Sequence, residues 1–263
     1  MTTSSDEIEA ALSALSDSHD RLVRVAKPLT ADDVVGRSYC SEWTVAQVLS
    51  HLGSGAEIFG LLIEAGRHGR EAPGQEQNQE IWATWDAKSP QDQARDGLAE
   101  DGELVEQLAS IKPEQRASWR LNFFGSERTL ADLIRMRLSE HILHTWDIEV
   151  IRNPQATLAG DAAGLVLDLV TGLGGMVGKP QGQELRVHVT TEHPERHFAL
   201  AVGADGVSVG PTGPEAGDGE ASLWLPAEAF VRLLAGRLDA QHPVDLEARG
   251  VDLGDLREVF PGF

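Results

Sequence analysis

Near residue 153 the apolar pattern of this 263-residue chain changes period. Before that point apolar residues recur at steps of three and four; after it, with one further helical stretch, they alternate. Helices repeat every 3.6 residues and strands every two, so the switch predicts an α+β protein of two domains, residues 1–153 and 154–263. Four helix-length segments precede it, at about 6–26, 44–66, 91–111 and 127–151. Four long amphipathic helices joined by polar connections predict a four-helix bundle, a fold whose core holds metal sites built from facing helices. After the switch, Ala162 to Val177 reads as a helix and "ELRVHVTT", "HFALAVG", "VSVG" and "ASLWL" as strands. "PAEAFVRLLAG" opens a helix at a proline and closes it at a glycine, while "GPTGPEAGDGE" reads as a surface loop. The second half is a small α+β domain.

The fourth helix carries an anomaly. From Thr129 to Ile151 there is no Gly or Pro, and Leu130, Leu133, Arg137, Glu140, His144, Asp147 and Ile151 fall within an arc of roughly 100°. This stripe is apolar at its ends and ionisable in its middle, so a core facing the leucines also faces the charges. Unpaired charges are costly to bury. A closed salt-bridge network or a bound cation removes that cost, and Glu140 with His144 puts two ligand atoms one turn apart. His141 makes an HxxH pair with His144, so spacing alone leaves it open as the ligand in place of Glu140. On the second helix, Val48, His51, Gly55, Ile58 and Leu62 form an inward stripe, which places His51 on an apolar face. A lone histidine there is either a hydrogen-bonded core residue or a third ligand. Gly53 and Gly55 suit either ligand access or close helix packing.

The net charge of −20 argues against non-specific binding to nucleic acid or anionic membranes, which need Lys and Arg clusters. One cysteine, Cys40, excludes an intramolecular disulfide and fits a reducing compartment. The amino terminus lacks the basic and continuous apolar segments of a signal peptide, and no stretch of about 18 apolar residues occurs. These features predict a cytoplasmic protein.

"CSEWTVAQVLSHL", followed some ninety residues later by "RLSEHILHTWD", resembles the mycothiol-dependent maleylpyruvate isomerase family, within the DinB-like group of metal-binding four-helix bundles. "ELRVHV", "DGVSVG", "ASLWLPAEAFVRLLAGR" and "VDLGDL" are similar to that family's sterol-carrier-like carboxy-terminal domain. The resemblance implies a divalent metal, usually zinc, on His51, Glu140 and His144, and mycothiol as the thiol cosubstrate. It thereby favours Glu140 over His141. It also implies an arginine from the second domain at the substrate, for which Arg237 in "LLAGRLDA" is the candidate. Asp147 is expected to orient a ligand or to pair with Arg137, and Arg137 to pair with Glu140 or Asp147 along its own helix. Cys40 is expected to pack at the start of the second helix, not to act as nucleophile.

A zinc with open positions lowers the pKa of a bound thiol. The implied partners are therefore a low-molecular-weight thiol and a small electrophile, with either cis-trans isomerisation or S-transfer as outcome. Two alternatives stand beside this reading: a metalloenzyme of the same fold using another thiol or metal-bound water, and a non-catalytic small-molecule-binding protein. The motif does not identify cosubstrate-binding residues, the electrophile or the oligomeric state.

Overall fold

The structure, a computed structural model, describes residues 5–40, 42–182, 184–214, 221–242 and 244–262. The chain divides into two compact units, Met1–Asn153 and Pro154–Phe263. In the first, helices α1 (Ser5–Ala26), α2 (Ala31–Val34), α3 (Val45–Arg67), α4 (Gln75–Asp86), α5 (Pro90–Ala109) and α6 (Pro113–Ser118) precede a hairpin. The hairpin pairs β1 (Arg120–Phe123) with β2 (Ser126–Thr129) and leads into α7 (Leu130–Glu149). The four long helices close a ring, with α3 against α5 and α7, and α1 against α7 and α5.

The helix starts are set by side chains that satisfy the first free N–H groups. Thr44 accepts from the Gln47 amide while Gln47 accepts from the Thr44 amide, which fixes the phase of α3 and so the direction of His51. Thr129 and Asp132 form the same reciprocal pair at the start of α7. That cap corrects the fourth helix, which begins at Leu130 because Ser126–Thr129 pairs in the hairpin. The helix also ends at Glu149, which leaves Ile151 half-exposed and outside the buried stripe. The polar connections hold more structure than their composition indicates: α4 lies in the second and buries Ile81 and Trp85, whose indole N–H reaches Glu57 at 2.8 Å. The third contains α6 and the hairpin.

Gly53 and Gly97 mark where α3, α4 and α5 touch. A Cβ on Gly53 would stand 2.4 Å from the Trp85 ring, and one on Gly97 would stand 2.3 Å from the Leu49 carbonyl oxygen. Gly53 therefore serves close packing. Alanine is intrinsically better than glycine in a helix by about 1 kcal/mol, but overpacking against backbone costs about 1–3 kcal/mol or more. The clash wins at Gly97, where the neighbour is backbone and cannot swing aside. Gly97→Ala is expected to lower the denaturant midpoint, and an unchanged or raised midpoint would mean that the two helices do not approach this closely.

In the second unit α8 (Gly160–Val177) is followed by β3 (Leu185–Glu192), β4 (Arg196–Gly203), β5 (Gly206–Pro211) and β6 (Ala221–Pro226). Helix α9 (Ala227–Leu234), strand β7 (Glu247–Arg249) and α10 (Leu253–Val259) complete it. The sheet order is β5-β4-β3-β6-β7, antiparallel except for the parallel β3–β6 pair. Val187, Val189, Phe198, Leu200, Leu223 and Leu225 alternate onto the buried face with Phe230 of α9. The loop read at 210–220 lies partly outside the described residues, at 215–220.

Helices α3 and α8 have the length and mean hydropathy of a membrane span. In α3 that apolar surface is spent on the bundle, where Val48, Leu49, Leu52 and Ile63 are fully buried.

Candidate metal centre

The two capped helices bring His51 of α3 and Glu140 and His144 of α7 together. His51 Nε2 lies 3.1 Å from Glu140 Oε2, and His144 Nε2 lies 3.7 Å from the same oxygen. One donor atom from each residue lies within 4.8 Å of the other two. These separations bracket the edge of about 3.3 Å expected of a tetrahedron with metal–ligand bonds of about 2.0–2.1 Å. Two imidazoles and one carboxylate fit a divalent ion of the zinc type and leave coordination positions for a further ligand.

Two more groups of potential ligands occur among the described residues. Cys40, His144 and Asp147 share His144 with the first group and are joined by hydrogen bonds: Asp147 Oδ2 lies 2.8 Å from His144 Nδ1 and accepts from Cys40 Sγ at 3.0 Å. Asp147 thus engages one imidazole nitrogen and leaves Nε2 toward Glu140, the arrangement that orients a metal-binding histidine. The other group, His19, Asp101 and His141, has N···O distances of 2.6 and 2.8 Å, which are hydrogen-bond lengths. Its carboxylate is already neutralised by Arg137 Nη2 at 2.6 Å. A cation has no vacancy there. His141 therefore turns away from Glu140 and His144 and belongs to a separate buried network.

Charge is distributed unevenly over the first group. Burial alone would push the Glu140 carboxyl up, but the His144 imidazole facing it and the hydrogen bond with His51 hold it far below the usual carboxylate range. Burial dominates at His51 and lowers its pKa, against the opposing pull of Glu140. At His144 burial also opposes charge, yet the hydrogen bond with Asp147 and the neighbouring Cys40 and Glu140 outweigh it and raise the pKa to about 10. Without an ion, the site is an imidazolium held between two carboxylates beside a neutral imidazole. The ring of Trp43 covers both histidines, at centroid distances of 5.0 Å from His51 and 5.9 Å from His144.

Arg137 corrects the sequence expectation. Its partner is Asp101 on α5, not Glu140 or Asp147 on its own helix, and Nη2 also donates to the Leu52 carbonyl at 2.8 Å. Asp101 sits in an acidic run, "LAEDGE", whose composition reads as a solvated face. The buried positions of α5, Gln93, Gly97, Asp101, Leu104 and Leu108, nevertheless step by four, four, three and four, a line that passes through it. Trp43, though part of the quoted motif, carried no signal of its role. Cys40 does pack before α3, with its sulfur on Asp147. In the second unit Arg237 is 4% exposed and donates to the Ala235 carbonyl at 2.8 Å, next to Gly236 at φ +69°.

The model of the mycothiol maleylpyruvate isomerase N-terminal domain matches residues 15–149, more than half of the chain. The chain belongs to that family. Over both units the maleylpyruvate isomerase fold is also seen: a crystal structure of the mycothiol-dependent maleylpyruvate isomerase superposes with a TM-score of 0.66 at 16% identity. That match covers 91% of this chain and 92% of the other. A histidine-to-alanine variant of that enzyme gives the same score and coverage at 15% identity. No curated protein matches the sequence. At such identities the structural likeness establishes the fold, and the helical unit carries the family membership.

Proposed function

We propose that this protein is an enzyme that isomerises a maleylpyruvate-type cis alkene with mycothiol as thiol cosubstrate and a divalent ion, zinc by its donor set, on His51, Glu140 and His144. The observation that carries the reading is the convergence of two imidazole Nε2 atoms on one carboxylate oxygen at 3.1 and 3.7 Å. When bound, the ion supplies Lewis acidity that lowers the pKa of a neighbouring thiol, so that thiolate is available at neutral pH. The chain's own residues do the rest. Asp147 keeps the His144 ring in one orientation, and the Trp43 ring lies against both imidazoles. On the family resemblance alone, Arg237 is assigned to the substrate carboxylate. Addition of the sulfur to the cis double bond makes that bond single and free to rotate, and loss of the sulfur leaves the trans isomer.

Purified protein supplied with zinc, mycothiol and maleylpyruvate is expected to yield the trans isomer with mycothiol recovered unchanged. A stable thioether product would make the enzyme a mycothiol S-transferase instead. Turnover without mycothiol would place the chemistry on another thiol or on water, and protein that neither binds zinc nor turns over would be a binding protein. Arg237→Ala should cut turnover at unchanged zinc content, and Arg237→Lys should restore only part of it, because lysine lacks the planar fork that grips a carboxylate. Full turnover in Arg237→Ala would remove that residue from the reaction.

A further inference from the structure

Four helices meet on one buried carboxylate. Asp101 of α5 is fully buried, and its Oδ1 accepts from Arg137 Nη2 of α7 at 2.6 Å. Oδ2 lies 2.8 Å from His141 Nε2 of α7 and 2.6 Å from His19 Nδ1 of α1, while His141 Nδ1 lies 2.8 Å from the Ser18 hydroxyl of α1. Against the cost of burial, the charges of His141 and Arg137 and the hydrogen bonds from both histidines hold Asp101 well below the usual carboxylate range, so it is the acceptor in each contact.

The fourth helix enters through Arg137. The same Nη2 that pairs with Asp101 donates to the Leu52 carbonyl of α3, the residue after His51. Nη1 lies so close to α3 that a Cβ on Gly55 would stand 2.9 Å from it. Arg137 itself stands three residues before Glu140 on α7. One guanidinium thus ties the backbone beside one candidate ligand to the helical turn that leads to another. A buried arginine keeps such a position only while its charge is compensated; its Nε already lacks a partner.

We propose that Asp101 is a positioning residue for the metal centre: by holding Arg137 in place, it fixes the α3 turn of His51 against the α7 turn of Glu140 and His144. The proposal rests on the metal reading above. The donor separations leave little slack, because a shift of α3 by a fraction of an ångström moves His51 Nε2 off the common edge. Removing the charge of Asp101 frees the guanidinium to withdraw toward water and releases the Leu52 carbonyl.

The test measures zinc affinity of the full chain by competition with a chromophoric chelator, beside the thermal midpoint. Asp101→Asn is expected to weaken zinc binding about 10- to 100-fold, the range seen when a residue behind the ligands is lost. Leu104→Ala, which opens a cavity on the same helix, should lower the midpoint and leave zinc affinity unchanged. The double variant Asp101→Asn with Arg137→Met removes the uncompensated charge as well. It should recover much of the thermal midpoint but not the affinity, since methionine cannot hold the Leu52 carbonyl. It also decides the matter where Asp101→Asn alone does not fold. Wild-type affinity in Asp101→Asn, or affinity that returns with stability in the double variant, would overturn the proposal while leaving the metal reading intact. Wild-type protein that binds no zinc would overturn both.

Discussion

His144→Ala is expected to strip the protein of its divalent ion, whereas His141→Ala, three residues earlier on the same helix, keeps the ion and loses stability. The two side chains are chemically identical and both buried, and only their surroundings differ. His144 Nε2 faces Glu140 and, through it, His51. Loss of even an outer partner costs a metal site about 10- to 100-fold in affinity, so loss of a ligand should cost more than about a hundredfold, with turnover lost in parallel. His51→Ala and Glu140→Ala should behave alike. His141 instead bonds Asp101 and Ser18 and lies 3.3 Å from the Thr145 hydroxyl. Truncating it leaves buried polar atoms, Asp101 Oδ2 among them, short of a partner at about 1–3 kcal/mol each, while Arg137 Nη2 keeps its own contact with Asp101 Oδ1. Metal analysis of the dialysed variants together with their thermal midpoints separates the two. If His141→Ala emptied the site and His144→Ala did not, the ligand from α7 would have been misassigned.

The contrast shows what sequence can carry. The stripe on α7 is periodic, begins at a capped threonine and mixes charge with leucine, so both its direction and its anomaly are visible along the chain. His51 was readable in the same way, from the apolar neighbours at its helical spacing. What periodicity does not carry is the partner across a helix interface. Arg137 has an acid at i+3 on its own face and another further along at i+10, and local rules favour the nearer one, yet the guanidinium takes Asp101 from another helix. Asp147 is buried but stands about three turns away along the axis, out of reach, and the half-exposed Glu140 offers less to a buried guanidinium than the fully buried Asp101 does. Likewise α4 is hidden in a polar stretch, because a helix that buries little beyond Ile81 and Trp85 shows almost no stripe. The three-residue β7 is all exposed and leaves no alternation to read.

Zinc affinity is expected to rise about tenfold per pH unit across neutrality, and the origin of that slope is the proton on His144. In the ion-free site Glu140 is ionised, His51 is neutral because burial lowers its pKa, and His144 is protonated because its pKa is about 10. A metal ligand must be the neutral imidazole, so binding expels one proton. From pH 7 to pH 9 this gives roughly a hundredfold gain, or about 2.7 kcal/mol, levelling only near pH 10. The stability of the ion-free protein moves the other way. A pKa raised above the unfolded value near 6.5 contributes fully below that value and is lost as pH climbs through about 10. The thermal gap between loaded and ion-free protein should therefore widen with pH. Calorimetry in buffers of different ionisation enthalpy should count about one proton released per zinc near pH 7. Asp147→Asn, by removing the main support of the imidazolium, should reduce that count. A pH-independent affinity would mean that His144 is already neutral without the ion, and that Asp147 orients the ring without charging it.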